Sequence, residues 1–276
     1  LSSANSINFG RLAPQIAYYF SAYLDLVSSG QIEMGEKVNF AVPTGNFGNI
    51  LAAYYAKRMG LPVGKLVCAS NKNNVLTDFI RTGVYDRRRE FYKTMSPSMD
   101  ILISSNLERL LFELSGREPK RIALRMEKLK QEGVYEIYDE EKEALSELFY
   151  ADYCGEDETV ETIYEFFEEY QYPMDTHTAC AMYAAANYME KAKDHDTPMV
   201  VVSTASPYKF PQDVMYSLTG NDIKDSFKAI KHLNITTAMK VPKSLSGLRD
   251  KPVRFNIVAD KDKLYAEVLK FAQPKK

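Results

Sequence analysis

The stretch Pro43-Thr44-Gly45-Asn46-Phe47-Gly48-Asn49 decides how the sequence around it folds. Upstream, Val38 to Val42 is a short β-prone run that stops at the proline. Downstream, Ile50, Leu51, Tyr54, Tyr55 and Met59 recur at helical spacing until Gly60. Leu66 to Ala69 is a second β-prone run. Strand, glycine-rich loop, helix and strand within about 35 residues predict a βαβ unit with a right-handed crossover in a parallel sheet. The loop then lies where a strand ends and a helix begins, so its free amides and the helix dipole face one point, which favours an anion. Gly45 and Gly48 permit positive φ and close approach of backbone to a ligand, and the flanking amide side chains of Asn46 and Asn49 can donate further hydrogen bonds. A plain structural turn needs neither two glycines nor an asparagine pair.

What the loop lacks narrows the anion. A nucleotide P-loop continues Gly-Lys-Ser/Thr, whereas Gly48 is followed by Asn49-Ile50. A dinucleotide site has Gly-x-Gly-x-x-Gly and an acid at the end of the next strand; here that strand ends Cys68-Ala69-Ser70-Asn71. With no acid for a ribose, a compact phosphate ester such as pyridoxal phosphate fits better than NAD.

The remaining composition agrees with a small-molecule partner. Thirty-five basic and thirty-seven acidic residues leave a formal charge of −2, so no global field recruits nucleic acid or an anionic membrane. With 45% hydrophobic side chains in 276 residues there is enough apolar surface for a core, which rules out disorder. Cys68, Cys154 and Cys180 are odd in number and far apart, fitting neither a disulfide framework nor a zinc site. His177 with Cys180 has metal-like spacing but no second pair, so no metal is expected. No apolar run approaches the roughly 20 residues of a membrane span, no leader is visible, and a cytoplasmic location is expected. The chain starts at Leu1 rather than Met and is expected to be a piece of something longer.

Elsewhere the pattern is mostly helical. Ile16, Tyr19, Phe20, Tyr23, Leu24 and Val27 mark a first helix that Gly30 stops, and Val75, Phe79 and Ile80 another. Arg87, Arg88 and Arg89 read as a solvated face. Ser105 with Glu108 has the spacing of a capping box opening a helix of Leu107, Leu110, Leu111 and Leu114. Charged helices are expected over 118–132, 139–149 and 156–169, an alanine-rich one over 178–193, another from Pro211, and a last one over 261–271. Met199 to Val202 reads as the best-buried strand. No linker demands a domain boundary.

Two further stretches carry candidate chemistry. Ser203-Thr204-Ala205-Ser206-Pro207-Tyr208-Lys209-Phe210 is a polar loop after that strand, where open α/β sheets place ligands; a hydroxyl there can bond a ring nitrogen, and a Ser/Thr turn explains it equally well. Asn5-Ser6-Ile7-Asn8-Phe9-Gly10-Arg11 gathers polar groups and one guanidinium before the first helix, with an N-cap as the simpler reading.

In this order and separation, and together with Ser104-Ser105-Asn106-Leu107-Glu108-Arg109-Leu110, these stretches closely resemble the threonine synthases, pyridoxal-phosphate enzymes of the tryptophan-synthase-β-like fold (fold type II). The likeness runs over nearly the whole chain. The glycine-asparagine loop alone indicates only the fold type; the Asn-Ser-Ile-Asn and Thr-Ala-Ser-Pro stretches point to this family over dehydratases and cysteine synthases.

The resemblance implies an α/β, three-layer, parallel-sheet fold, with residues 1–276 forming a C-terminal portion, mostly the large cofactor-binding domain. It implies that Gly45, Asn46, Phe47, Gly48 and Asn49 hold the phosphate of pyridoxal 5'-phosphate and that Thr204 faces the pyridine nitrogen. Asn5, Ser6 and Arg11 would hold the phosphate of O-phosphohomoserine. Some members carry His where Ser206 stands. In the family the Schiff-base lysine precedes the Asn-Ser-Ile-Asn stretch, so no catalytic residue is expected within this chain. The N-terminal segment and smaller domain are expected to lie outside it as its missing partner, and the chain alone to be inactive. The alternative is a non-catalytic domain or subunit that binds a phosphorylated metabolite at the same loop; a nucleotide-binding domain is weakened by the missing acid and lysine.

Overall fold

The computed structural model describes residues 6–273. Asn8 accepts a hydrogen bond from the Gly10 amide and so caps a short first helix, α1 (Phe9–Leu12); a 3-10 turn, Ala13–Gln15, carries Pro14 into α2 (Ile16–Ser28). Then come β1 (Val38–Pro43), α3 (Gly48–Arg58), β2 (Val63–Ser70), α4 (Val75–Thr82), β3 (Val84–Asp86), α5 (Leu107–Leu114), α6 (Pro119–Gln131), β4 (Val134–Glu136), α7 (Asp139–Leu148) and β5 (Phe149–Tyr153). The chain continues with α8 (Glu156–Tyr170), α9 (Thr176–Ala192), β6 (Met199–Val201), α10 (Pro211–Thr219), α11 (Ser226–Thr237) and α12 (Leu264–Ala272).

Four strands form one sheet in the order β5-β2-β1-β6, every neighbouring pair parallel. The expected βαβ unit is β1-α3-β2. A parallel sheet needs helices on both faces, and this one has them. On one face Phe40, Val42, Leu66 and Cys68 join a large core with α2, α3 and α4. On the other, Ala41, Val67 and Ala69 meet Ala181, Ala184 and Ala185 of α9. Alanines on both sides let that helix lie close against the strands, which is why the alanine-rich stretch packs on the sheet rather than facing water.

Several elements depart from the sequence reading. Met199 to Val202 is half-buried, because β6 forms the sheet edge and pairs only with β1. β5 went unseen: it follows α7 directly, and its pairing with β2 supplies what its composition does not. β3 and β4 form an antiparallel pair held by stacked Tyr85 and Tyr135, with centroids 5.2 Å apart and planes within 2°. Strands of three residues are too short for periodicity to show. The Ser105–Glu108 capping box does not form. Asn106 occupies the cap position of α5 and turns its side chain away, donating to the Asn46 and Ser6 carbonyls. Arg88 and Arg89 do not simply face water but pair with Asp86 and Asp78.

The chain divides into two compact units, one reaching Met239 and one starting at Lys240, a boundary that the sequence reading did not expect. The second contains a 3-10 turn, Leu248–Asp250, and α12, with Phe255 and Phe271 in edge contact at 6.5 Å. Among the described residues, no helix is long and apolar enough to cross a membrane.

Candidate active site

The carboxyl ends of β1 and β6 open into a cleft of about 280 Å³. The loop between β1 and α3 forms its floor, and the structure brings Ser6, Arg11, Gly45, Asn46, Phe47, Gly48, Asn49 and Thr204 to its walls. Asn5 lies outside the described residues. The two flanking stretches are 193 positions apart in sequence between Arg11 and Thr204 (204 − 11) and meet only because β1 and β6 are neighbours in the sheet.

The loop is built to keep its amides open. Its carbonyls are occupied: Ser104 Oγ donates to Gly45 O at 2.8 Å, and both Asn106 N and Asn106 Nδ2 donate to Asn46 O at 3.1 and 2.9 Å. The Thr44 amide continues the sheet by donating to Ala69 O. None of the amides from Gly45 to Asn49 reaches an acceptor among the described residues. α3 begins here with no side-chain cap and no acidic residue in its first turn. The Ser104-Ser105-Asn106 stretch thus holds the back of the loop, while the amides at its front stay available.

The glycines do not use the positive φ that their residue type permits. Neither Gly45 nor Gly48 has positive φ; the left-handed residue is Phe47, at φ 60°, just before α3. Burial of its ring beside Phe149, at 5.8 Å, keeps a non-glycine residue in that conformation. Gly45 is required by close approach instead, since a β-carbon there would lie 2.6 Å from the Ser98 carbonyl oxygen. Asn49 is a wall residue whose Oδ1 accepts from Tyr19 at 2.8 Å.

Among the contributors to the walls that were absent from the candidate set are Ser98, Met99, His177 and Lys209. His177 is 3% exposed, and both ring nitrogens are engaged. Nε2 accepts from the Ser98 amide at 3.1 Å, so Nδ1 carries the proton and donates to Asp175 Oδ1 at 3.0 Å. Burial raises the cost of charge on Asp175, but hydrogen bonds from His177 and Thr178 outweigh it and hold the carboxyl below the usual range. The sequence reading passed over Asp175, which caps α9 by accepting from the His177 and Thr178 amides; an N-cap residue ahead of the alanine-rich run is the local signal that could have found it. Ser206 accepts from the Tyr208 amide, capping the 3-10 turn Pro207–Lys209, and does not line the cleft.

Among the described residues no aspartate or glutamate lines the cleft, while Arg11 and Lys209 both do. Open amides, a helix start and two cations form a donor set for phosphate. The three cysteines are buried free thiols elsewhere, and burial pushes the Cys68 thiol up to about 12. Among the described residues no group of three metal-ligating side chains occurs.

Comparison with known proteins matches residues 178–268 to the family described as threonine synthase, C-terminal. A threonine synthase-like 1 protein of Homo sapiens is 45% identical over 227 residues, covering 82% of this chain and 30% of the relative. A threonine synthase of Schizosaccharomyces pombe is 38% identical, covering 79% and 46%. A solved pyridoxal-phosphate-bound threonine synthase from Brucella melitensis superposes with a TM-score of 0.83 at 36% identity, over 98% of this chain and 53% of that one. The chain is homologous to the threonine synthases. It spans between about a third and a half of the length of these relatives. Its α/β parallel-sheet fold is theirs, fold type II.

Proposed function

We propose that this chain is the cofactor-binding part of a threonine synthase, the enzyme converting O-phospho-L-homoserine and water to L-threonine and phosphate. The observation that carries the reading is the run of open amides from Gly45 to Asn49 in a cleft that no carboxylate of the described residues lines. That donor set fits the phosphate of pyridoxal 5'-phosphate, the group that a homologous solved structure holds.

Each wall then has a task. The amides of Gly45 to Asn49 hold the cofactor phosphate, helped by the dipole of α3. The Thr204 hydroxyl meets the pyridine nitrogen and, being neutral, supplies no charge to keep a proton there. Ser6 and Arg11, with Asn5, grip the phosphate of the substrate, Arg11 by two parallel hydrogen bonds. The bound cofactor supplies an electron sink for proton removal and loss of phosphate. The lysine that anchors it covalently in the family belongs, on this reading, to sequence before Asn5, so the chain contributes binding and orientation.

Arg11→Lys in the full-length protein tests the substrate assignment. Pyridoxal phosphate should stay bound, because its phosphate sits on the loop, while kcat/KM for phosphohomoserine should fall by roughly 2 to 4 kcal/mol in transition-state stabilisation, a planar fork being replaced by a point charge. A specificity constant near wild type would remove the assignment. For the isolated chain, borohydride after pyridoxal phosphate should leave no stoichiometric adduct at a single lysine; full labelling of Lys209, which among the described residues is the one lysine on the cleft wall, would overturn the division of labour.

The second reading is a cleft that binds a phosphorylated metabolite without turnover. Identity is higher to a protein named threonine synthase-like 1 than to one named threonine synthase. Binding of phosphohomoserine to the full-length protein without release of phosphate would favour it.

A further inference from the structure

Two walls of the cleft are joined by a continuous chain of hydrogen bonds through the start of α9. At one end the Ser98 amide donates to His177 Nε2, and the Ser98 carbonyl abuts Gly45 so closely that no β-carbon fits there. His177 Nδ1 donates to Asp175 Oδ1, which also accepts the His177 amide at 2.9 Å. The Thr178 hydroxyl donates to Asp175 Oδ2 and reaches Ser203 Oγ at 3.3 Å, next to Thr204 on the opposite wall. Asp175, His177 and Thr178 are all buried.

A buried imidazole packed for bulk alone needs only satisfied nitrogens. This one is placed more specifically. It lines the cleft, its Phe210-facing ring is 4.6 Å from that neighbour, and its sole acceptor atom is spent on the turn that presses on the anion loop. Thr176, beside it, donates to Met95 O at 2.7 Å, so the start of α9 fixes the 95–99 segment at two points.

We infer that His177 is a positioning residue: with Asp175 and Thr178 it braces the Gly45–Asn49 loop against the Thr204 loop, so that the site for a phosphate group and the site for a ring nitrogen keep one spacing. The inference rests on the phosphate reading of the cleft. Loss of the Nε2 acceptor frees the Ser98 turn, loosens the loop behind Gly45, and uncouples the two walls.

The test uses the full-length protein, inorganic phosphate as the probe, calorimetry for affinity, and hydrogen–deuterium exchange of peptides covering 95–100 and 202–208. His177→Phe keeps the ring volume and the face against Phe210 but removes the acceptor. It should bind phosphate at least tenfold more weakly and exchange faster in the 95–100 peptide. His177→Gln restores an acceptor and should stay within about threefold of wild type. If His177→Phe fails to fold, Thr178→Val is read in its place. It cuts the link to Ser203 together with the hydroxyl's bond to Asp175, leaving the His177–Ser98 contact in place, and phosphate should then no longer protect the 202–208 peptide. Folded His177→Phe with wild-type affinity, His177→Gln falling as far as His177→Phe, or Thr178→Val with protection intact would overturn the brace. Wild-type protein that binds no phosphate would overturn the phosphate reading itself.

Discussion

Helices α3 and α9 both begin at the same cleft, and their starts are opposite in kind. α9 is closed by its own carboxylate: Asp175 accepts from the amides of His177 and Thr178 and is itself held by their side chains. α3 has no cap, no acid in its first turn, and a left-handed Phe47 where a capping residue would stand. Every helix start carries unpaired amides and a partial positive charge. Where the chain fills them itself, the start becomes structural; where it withholds the filling, the start remains available to an anion. The difference between these two helices, rather than the presence of a helix start, marks the site.

The most damaging way to break this contrast is Gly45→Val. A β-carbon 2.6 Å from the Ser98 carbonyl must push the loop or the turn aside, an overpacking cost of about 1–3 kcal/mol. The urea midpoint should fall, and stabilisation by added phosphate should vanish with it; a phosphate response equal to wild type would mean the loop amides are not the anion site. Removing the closed end, Asp175→Ala, should cost about 0.5–2 kcal/mol, the usual range for a lost N-cap. Its pH dependence has a definite sign. The folded carboxyl is held below its unfolded value, so its stabilisation is complete above about pH 4 and is lost as pH falls through the lower folded value. Asp175→Asn should flatten that acid limb of the stability curve, and an unchanged limb would contradict the carboxylate's role. The smallest effect on stability sharpens the contrast by making α3 resemble α9. Asn46→Asp puts a carboxylate at the open start, which should raise stability by about 0.3–1 kcal/mol while weakening phosphate binding by tenfold or more, both measured by unfolding with and without phosphate.

The βαβ unit was legible because β1, α3 and β2 are each long enough to show their own period, and because Gly60 and Pro43 mark their ends. β3, β4 and β5 were not. Their residues, such as Val84-Tyr85-Asp86, suit a strand only because a partner lies alongside, and pairing is a non-local fact. Ser105 and Glu108 show the reverse error, in which correct local spacing was overruled by a tertiary demand on Asn106 to hold the Asn46 carbonyl. His177 stood three residues from Cys180 and invited thoughts of metal; its partners, Ser98 and Asp175, show a neutral ring spent on geometry.

Sequence alone determined the donor chemistry of the Gly45–Asn49 loop. Two glycines, two asparagines and no acid between a β-run and a helical run restrict what can bind there, since amide donors and a helix dipole are local properties of the backbone. It also determined which residue types stand at Arg11 and Thr204. Only the tertiary structure decided that these meet, because the neighbouring of β1 and β6 and the alanine-lined approach of α9 are set by packing across the whole sheet. The role of Gly45 was likewise beyond the sequence. Its missing side chain answers to the Ser98 carbonyl, 53 residues further along (98 − 45), and a steric limit set by a distant backbone leaves no trace in local composition.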